Sequence, residues 1–528
     1  MSLGVESDPI LIFWLPSANC DGQKFKFAPS QSKKIAMAIE YMLGVDVGTS
    51  GCKAMVLGQN GAVIGNSFRG YETHHPRSMW AEQKPEDWYE AFKYAVKSVL
   101  VKTKVQGENI ASIGIDGMMN SPTFLDEKGN VVRPSIIWMD QRSTPQERWL
   151  TEKIGEEKIL NNVYSPPTST SLLSKILWVK ENQPKIWEKT RKVLLPKDYI
   201  RFKLVESFVT DWSDASATQL FNMNKFSWSR EICEATEIDT SKLPEAIPST
   251  KIVGRLSRKA VEDTDLTEGI PVVAGCSDAA ADNLAAGVID PKQCLIRLGT
   301  CGALFMITDK VTPDPAKRYY VLAHCIAGRW MIHSLTPCGL ASEWFRDICL
   351  NRENHELMEA LAKKAPLGSR GLLFHPYLMG EHTPRRDSSL RGGFLGITLR
   401  HKMEHLVRAV FEGIAFSFRE CFRIFEEIEP SIKSVRVVGG GVKSPLWRSI
   451  MSDVLGVTLE VPVSEDASFG AGLLGGIGVG LFRNPKDAVD KCIKIKNITK
   501  PNAKNHEKYG KLFGVYIKTL DKLQGVVW

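Results

Sequence analysis

The sequence predicts an α/β protein made of two similar halves, and three observations support this fold class. Residues 43–57 read as strand, glycine-rich turn and strand, and the same order recurs at residues 295–307. Between and after these hairpins, strand patterns alternate with helical spacing, which is typical of α/β proteins. One such hairpin alone would be an ordinary tight turn. Two of them, each opening one half of the chain, favour a duplicated architecture with a ligand between the halves.

The composition excludes several classes of protein. The chain has 528 residues, and its 43% of hydrophobic and 24% of charged residues are ordinary for a globular protein with a sizeable core. A net charge of +8 is too mild at this length to indicate nucleic-acid binding. The eleven cysteines include no C-x-x-C pair, which predicts reduced thiols in the cytoplasm rather than disulfides or a zinc site. No apolar run reaches the ~18 residues of a membrane span, so we expect no membrane partner.

Residues 1–41 differ in pattern from the rest of the chain and are expected to be an atypical N-terminal extension. Their start is acidic, and their apolar stretch is too short for a signal peptide. A buried-strand pattern begins one residue after Met42. We therefore hypothesise that Met42 is the natural start, that residues 1–41 are not native, and that their removal leaves activity intact.

The elements of the first half are predicted in chain order. Strands are predicted over residues 43–47 and 52–57, and a third strand begins at Val63, so this half opens with a β-meander. The spacing of the apolar residues predicts a helix over residues 86–101. Residues 110–115 return to strand.

The second half adds a strand at residues 435–438, which leads into three glycines and a helix that opens at Ser444. Residues 469–482 are predicted to be a packed, glycine-rich helix rather than a membrane span or a dinucleotide fingerprint. The basic segment 491–511 is predicted to be an exposed helix and linker rather than an RNA site.

The glycine-rich turns have the chemistry of phosphate sites. Glycine lets backbone N–H groups approach an anion without a Cβ in the way, and Thr49, Ser50 and Thr300 add hydroxyl donors. Asp46 precedes the first turn and would repel a bare phosphate, which indicates a cation such as Mg²⁺ between the carboxylate and the phosphates. The chain has no Walker A sequence, which disfavours a P-loop fold. The glycines at 439–441 either accommodate a flat ring or ribose or form a plain connection, and both interpretations stay open.

Eight segments stand in a characteristic order: 44–51 (GVDVGTSG), 80–83 (WAEQ), 134–142 (PSIIWMDQR), 272–278 (VVAGCSD), 298–300 (LGT), 376–384 (PYLMGEHTP), 439–441 (GGG) and 444–447 (SPLW). Together they resemble the sugar kinases named after an F-G-G-Y signature, within the actin-like ATPase superfamily. The resemblance runs from Leu43 to about Phe482 and is strongest to the xylulokinases.

The resemblance implies two actin-like (ribonuclease H-like) domains, each a mixed central sheet flanked by helices, with a cleft between them. The expected bounds are 42–288 for an N-terminal sugar-binding domain, 289–483 for a C-terminal ATP-binding domain and 484–528 for a C-terminal tail. The expected assembly, on family grounds, is a homodimer.

The resemblance also implies roles for individual residues. Asp278 matches the general base that takes a proton from the sugar hydroxyl, and Asp46 matches the carboxylate that organises Mg²⁺. Asp282, four residues further on, is expected to be structural or helix-capping. The positions that match the ATP site are Gly48, Thr49, Ser50, Lys53, Gly299 and Thr300 around the phosphates, and Gly440, Gly441 and Ser444 around the adenosine.

A carboxylate base also has a rationale that is independent of the family. A sugar hydroxyl is a poor nucleophile, and a positioned base contributes ~10²–10⁴-fold to its reaction. Asp278 follows a strand at residues 270–274, where a side chain can face a cleft. The plainer interpretation is that Asp278 caps a helix that begins near Ala279.

The sugar pocket is where the chain departs from the family pattern. Xylulokinases usually carry Gln-Met-His-Gly at the position of residues 118–121, which read MMNS here, so Asn120 replaces a histidine. Asparagine has a shorter arm and a different hydrogen-bonding geometry, which puts the identity of the sugar in question. The residues expected to contact the sugar are Trp80, Met119, Asn120, Asp140 and Asp278. Trp80 is alternatively a core residue, and Asp140 alternatively pairs with Arg142.

The predicted function is the ATP-dependent phosphorylation of a small ketose, D-xylulose to D-xylulose 5-phosphate in the first place, with ATP and Mg²⁺ as cofactors. The same chemistry on ribulose, another ketose, gluconate or glycerol is the nearest alternative. An actin-like ATPase of the chaperone or filament type is a rival of another class. A sugar-binding protein without catalysis is a third, against which the presence of both Asp46 and Asp278 argues.

Overall fold

The computed structural model describes residues 40–310, 313–352 and 354–526 of the chain. The predicted extension over residues 1–41 therefore lies almost entirely outside the described residues. The first strand begins at Tyr41, two residues earlier than the sequence pattern predicts.

The N-terminal half is built on a seven-stranded mixed sheet. Its order is β13-β14-β5-β1-β2-β3, with β15 beside β5. β1, β2 and β3 pair antiparallel, which confirms the predicted meander, and β1 runs parallel to β5. The strands of this half are β1 Tyr41–Val47, β2 Gly51–Gly58, β3 Val63–Gly70, β4 Glu82–Gln83, β5 Ile110–Gly117, β6 Thr123–Leu125, β7 Ser135–Ile136, β8 Lys192–Leu194, β9 Val209–Asp211, β10 Phe221–Asn222, β11 Ser227–Trp228, β12 Glu245–Ile247, β13 Ile252–Arg255, β14 Pro271–Val273 and β15 Cys276–Ser277.

The helices of this half cover the sheet and build a small lobe beside it. The predicted helix over 86–101 is confirmed as α1, which opens with Pro85 and buries Trp88, Phe92 and Val96 on one face. The helices are α1 Pro85–Thr103, α2 Thr144–Trp149, α3 Glu156–Val163, α4 Leu172–Asn182, α5 Pro184–Lys189, α6 Pro196–Val205, α7 Trp212–Ala217, α8 Arg230–Ala235, α9 Arg258–Thr264 and α10 Asp278–Ala285.

The C-terminal half repeats the plan with a second seven-stranded mixed sheet, in the order β18-β19-β17-β16-β22-β23-β24. Its strands are β16 Cys294–Leu298, β17 Cys301–Thr308, β18 Tyr320–Ala323, β19 Trp330–Pro337, β20 Leu373–His375, β21 Gly393–Leu395, β22 Ser434–Val438, β23 Thr458–Pro462 and β24 Ile495–Thr499. Its helices are α11 Gly339–Cys349, α12 His355–Lys364, α13 Met403–Ile428, α14 Pro445–Leu455, α15 Ala467–Gly478, α16 Pro485–Cys492 and α17 Ala503–Leu523. The two mixed sheets flanked by helices confirm the predicted α/β class.

The described residues 484–526 pack as part of this half, which departs from the prediction of a C-terminal tail. β24 pairs antiparallel with β23 and forms an edge of the sheet. α17 buries Tyr509, Phe513, Tyr516 and Leu520 in the core. Over residues 491–511 the predicted linker is wrong, because the strand β24 lies there. The predicted exposed helix is confirmed by the start of α17, where Tyr509 is the one buried residue up to position 511.

Small residues let the two halves pack closely. α15 comes between β23 and β24 of the second sheet in the chain, but it lies against β1, β5 and α10 of the first half. A Cβ on Gly470 would lie 2.1 Å from the Ala281 carbonyl oxygen of α10, and one on Gly44 would lie 1.8 Å from the Ser468 carbonyl oxygen of α15. The packed, glycine-rich helix predicted here is confirmed. Within the described ranges, none of the helices has the length and apolarity needed to cross a bilayer.

Candidate active site

The first glycine-rich turn joins β1 to β2 at Gly48, Thr49 and Ser50. Gln83 Nε2 donates to the Thr49 carbonyl at 2.8 Å, and Trp138 Nε1 donates to Thr49 Oγ1 at 2.8 Å. Ser50 at the tip is exposed. The turn is thus held by side chains of its own half, while its tip stays open to solvent.

The second turn, at Gly299 and Thr300, joins β16 to β17 and is held by the start of α11. The backbone N–H of Gly339 donates to the Gly299 carbonyl at 2.9 Å, and that of Leu340 donates to the Thr300 carbonyl at 2.9 Å. Thr300 is exposed. The two hairpins therefore present exposed tips of the same type, one from each half.

The third glycine cluster begins at Gly439, directly after β22, which runs parallel to β16. Gly439 has φ +97°, and a Cβ there would lie 2.7 Å from the Leu298 carbonyl oxygen, so only glycine fits. Gly440 is exposed, with open space where a Cβ would be. Ser444 is the N-cap of α14, and its hydroxyl accepts from the Trp447 N–H at 3.2 Å. The Ser444 hydroxyl, predicted to contact the adenosine, is thus already engaged as a helix cap.

The segment before α15 connects the third cluster to the first hairpin. Glu465 Oε2 accepts from the Gly439 N–H at 3.1 Å. The next residue, Asp466, accepts from Lys53 Nζ of β2 at 2.5 Å. Despite its partial burial, Lys53 has a raised pKa because of this partner. Lys53, predicted to contact phosphate, is thus held at the junction of the two halves by an ion pair.

Asp278 is the first residue of α10, but it is not the helix cap. The N-cap is Ser277, whose hydroxyl accepts from the Ala280 N–H at 3.3 Å. Asp278 Oδ1 accepts from the adjacent Ala279 N–H at 2.8 Å, and the side chain is only partly buried. Burial raises the pKa of Asp278, and the opposing attraction of Arg297 only moderates the rise. Because Ser277 supplies the cap, helix capping does not explain an aspartate at position 278.

Asp282 lies one turn along the same helix and pairs with Arg297 Nη1 of β16 at 2.9 Å. It lies inside the helix, so of its two expected roles the structural one is observed and the capping one is not. Burial raises its pKa to about 6 against the pull of Arg297. This ion pair ties the helix that starts with Asp278 to the strand that leads into the second turn.

Asp46 lies at the end of β1 beside a second acid, Asp116 of β5. Burial and the negative charges of Asp466 and Asp278 raise the pKa of Asp46 to about 8. Asp46 Oδ1 and both carboxylate oxygens of Asp116 are buried, and apart from each other these two carboxyls have no hydrogen-bond partner there among the described residues. Hard carboxylate oxygens without a partner are the donors that Mg²⁺ takes, so this pair fits the predicted cation.

Protein ligands alone would not complete such a cation site. In the part of the chain that the structure describes, no group of three or more His, Cys, Asp or Glu side chains is arranged to hold a metal ion. Mg²⁺ usually binds one or two carboxylates and fills its remaining positions with phosphate oxygens and water. The arrangement around Asp46 is of that type.

On the sugar side, the structure places Met119 and Asn120 at the partly open end of the loop that follows β5. Asn120 has φ +56°, its Oδ1 accepts from the Leu172 N–H at 3.2 Å, and its carbonyl accepts from the buried Lys175 Nζ at 2.6 Å. Trp138, 37% exposed, stands between this loop and the Thr49 turn. This exposed ring is a better candidate for stacking on a sugar than the predicted Trp80.

Trp80 and Asp140 have structural partners instead. The Arg142 guanidinium lies 3.7 Å from the centroid of the Trp80 ring, and Trp178 packs edge-on against it at 5.4 Å. Asp140 is fully buried, pairs with Arg142 at 2.8 Å and accepts from the Ala81 N–H at 2.5 Å. The structure thus supplies the packing of Trp80 and the Arg142 ion pair of Asp140 that the alternatives named, and contact of these two side chains with the sugar stays a prediction.

Sequence reasoning missed Asp116 and Trp138. Trp138 lies inside the motif at 134–142, in which the sequence prediction named Asp140 as the sugar contact. Asp116 closes a predicted strand, and an acid at the end of a buried strand was the available signal. Its partner Asp46 lies in a strand that is distant in sequence, so only the strand register reveals the pair.

Comparisons with known proteins show the family to which the chain belongs. The family model described as the N-terminal domain of the FGGY family of carbohydrate kinases matches residues 41–285, and the model of its C-terminal domain matches residues 294–479. The xylulose kinase of Bacillus subtilis (strain 168) is 31% identical over 480 residues, which are 90% of this chain and 96% of that protein. The gluconokinase of the same organism is 30% identical over 494 residues, which are 90% of this chain and 95% of that protein.

Among solved structures, a xyloylose kinase from Brucella ovis superposes with a TM-score of 0.85 at 27% identity, covering 92% of this chain and 99% of that one. Both halves therefore have the actin-like fold of these kinases. Family models cover most of the chain, and relatives at about 30% identity match nearly their full length. The chain belongs to the FGGY family of carbohydrate kinases and is xylulokinase-like.

Proposed function

We propose that this kinase transfers the γ-phosphate of ATP to a hydroxyl of D-xylulose, giving D-xylulose 5-phosphate. The observation that carries the proposal is the position of Asp278, a partly exposed residue that is not the N-cap of α10. It lies close enough to Asp46 and to Arg297 to influence both charges. This electrostatic proximity to the strands that lead into the two exposed turns supports Asp278 as the proposed base.

The chain's own residues divide the work of the reaction. Asp278 accepts the proton of the attacking hydroxyl as the bond to phosphorus forms. The backbone N–H groups of the turns at Thr49 and Thr300 hold the phosphates, and Gly440 leaves room for the adenosine. Asp46 holds Mg²⁺, which supplies neutralisation of charge on the transferring phosphoryl group.

D-xylulose is the first candidate because xylulose kinases from several organisms are about 30% identical to this chain over most of its length. A second candidate, gluconate, is favoured by the gluconokinase at 30% identity. The amide oxygen of Asn120 already accepts from the Leu172 N–H, so Asn120 presents different hydrogen-bonding groups from the histidine that xylulokinases usually carry.

A coupled assay of ADP release tests the proposal. Purified protein with Mg-ATP is supplied with D-xylulose, D-ribulose, D-gluconate, glycerol or no acceptor, and product is identified by mass. The proposal expects D-xylulose to give the highest kcat/KM and little ADP release without an acceptor. A higher kcat/KM for gluconate would replace the substrate but keep the chemistry. ADP release that no acceptor stimulates would contradict the proposed transfer.

A further inference from the structure

Asp116 lies among three other acids, Asp46, Asp278 and Asp282, which form an acidic cluster. It is on β5, between the strand β1 that carries Asp46 and the strand β15 that leads into α10. β5 pairs in parallel with β1, with Asp116 opposite Asp46, and with β15, with Asp116 opposite Cys276, two residues before Asp278. Residues opposite each other on neighbouring strands project from the same face of a sheet. The Asp116 and Asp46 carboxylates therefore lie side by side.

The Asp116 carboxyl is fully buried, and no N–H or O–H group of the described residues other than the neighbouring Asp46 carboxyl lies within hydrogen-bonding reach of it. Other buried acids of this half are paired: Asp140 with Arg142 at 2.8 Å, and Asp198 with Lys197 at 2.6 Å. Asp116 and Asp46 have no basic side chain paired with them, and two adjacent buried carboxylates can both be charged only when a cation lies between them.

The nearby cations are already engaged elsewhere. Lys53 pairs with Asp466 at 2.5 Å, and Arg297 pairs with Asp282 at 2.9 Å. Both pairs lie around Asp116 and Asp46 without contacting either carboxylate through a hydrogen bond. The partner that fits two adjacent carboxylates next to a phosphate-binding turn is a divalent cation.

We propose that Asp116 is a second carboxylate of the cation site, so that Asp46 and Asp116 together hold the divalent ion of the metal–nucleotide complex. This inference rests on the proposed function, because phosphate oxygens and water must complete the coordination. It goes beyond the motif carried by the first turn, which supplies Asp46 alone. Asp116 is thereby a metal-binding residue contributed by the strand that also leads into the sugar loop.

Mn²⁺ is the probe, and its binding is measured by electron paramagnetic resonance in the presence of a non-hydrolysable ATP analogue. Asp116→Asn keeps the size of the side chain and removes its charge. The expected result is a loss of about 10–100-fold in Mn²⁺ affinity, the range typical when groups that support a metal site are removed. The matched control is Asp282→Asn, which removes one negative charge from the same cluster without removing a proposed ligand.

The control decides between ligation and general electrostatics. Asp116→Asn must weaken Mn²⁺ binding by at least tenfold more than Asp282→Asn does. Equal effects of the two variants, or an unchanged affinity in Asp116→Asn, would overturn the inference. If the wild-type protein adds nothing to the Mn²⁺ affinity of the free analogue, the proposed function itself fails, which is a separate outcome.

A second variant covers the case in which Asp116→Asn does not fold. Asp116→Cys replaces a hard oxygen donor with a thiolate, which prefers Cd²⁺ to Mg²⁺. With the ATP analogue present, this variant should show a Cd²⁺–thiolate absorption band that exceeds the wild-type background of native cysteines. A spectrum equal to that of the wild-type protein would count against Asp116 as a ligand.

Discussion

The prediction about substrate choice depends on Asn120. Its positive φ and its hydrogen bonds with Leu172 and Lys175 fix its position at the partly open end of the loop that follows β5. The replacement of a histidine at this position was visible in the sequence, but its hydrogen bonds were not. The places of Asp46 within the first strand and of Asp278 after a later strand were also predictable, because each lies inside a recognisable motif. The pairing of Asp46 with Asp116 was not, because it depends on the register of β1 and β5.

Asn120→His should therefore change discrimination among sugars rather than the phosphoryl transfer itself. We expect the ratio of kcat/KM for D-xylulose to that for D-gluconate to rise by about tenfold, the lower end of what one pocket contact contributes. Asn130→His, on an exposed turn, is the control and should leave the ratio unchanged. A ratio that stays within twofold in Asn120→His would show that this residue does not select the sugar.

At the scale of elements, patterns with one clear period were predictable and mixed ones were not. The meander β1–β3 and helix α1 are direct consequences of strand alternation and helical spacing. The strand β24 and the buried face of α17 were not predicted, because frequent lysines indicated an exposed segment there. The signal was present nonetheless: Tyr509, Phe513, Tyr516 and Leu520 recur at helical intervals.

Close packing of α15 on α10 gives a prediction about stability. Gly470→Ala would place its Cβ 2.1 Å from the Ala281 carbonyl oxygen, a backbone atom that cannot yield cheaply. We expect a loss of about 1–3 kcal/mol in the free energy of unfolding, measured by urea denaturation. Gly510→Ala on the exposed face of α17 meets no neighbouring atom and should instead stabilise by about 0.5–1 kcal/mol. Equal effects would contradict the packing described for α15.

His333 on β19 gives a prediction about pH. It is buried against Phe305, and burial, followed by the charge of Arg297, lowers its pKa to about 3. The unfolded chain takes up a proton near pH 6.5, whereas the folded chain does not. Its contribution to stability is therefore fully present above about pH 6.5 and is lost as the pH falls, by about 1.4 kcal/mol per pH unit.

His333→Leu removes this proton uptake. The free energy of unfolding, measured between pH 6 and pH 4, should fall less steeply in His333→Leu than in the wild-type protein. The exposed His355→Leu serves as the control and should keep the wild-type slope. Identical slopes in all three proteins would show that His333 does not resist protonation in the folded state.

For the whole molecule, the duplicated plan was predictable from the two hairpins, but the way in which the halves meet was not. α15 belongs to the second half in sequence and packs on the first. Glu156 of the first half pairs with Arg386 at 2.9 Å and with Lys317, both of the second half. A sequence pattern shows that α15 is rich in glycine, but not which sheet it covers.

We expect the two halves to draw together around the substrates, because closure excludes water from the reacting phosphate. In small-angle X-ray scattering, D-xylulose together with a non-hydrolysable ATP analogue should lower the radius of gyration. The same sugar with inorganic phosphate is the control and should change it less. A radius that does not respond to both ligands together would argue against closure.

The most direct test of the central claim is a single-turnover measurement on Asp278→Asn. The variant keeps the size of the side chain but lacks a base, so phosphoryl transfer to the sugar should slow by about 10²–10⁴-fold. The affinity for the ATP analogue and the unfolding temperature should match those of the wild-type protein, because Ser277 rather than Asp278 caps α10. A folded Asp278→Asn protein that still transfers phosphate at the wild-type rate would contradict the account.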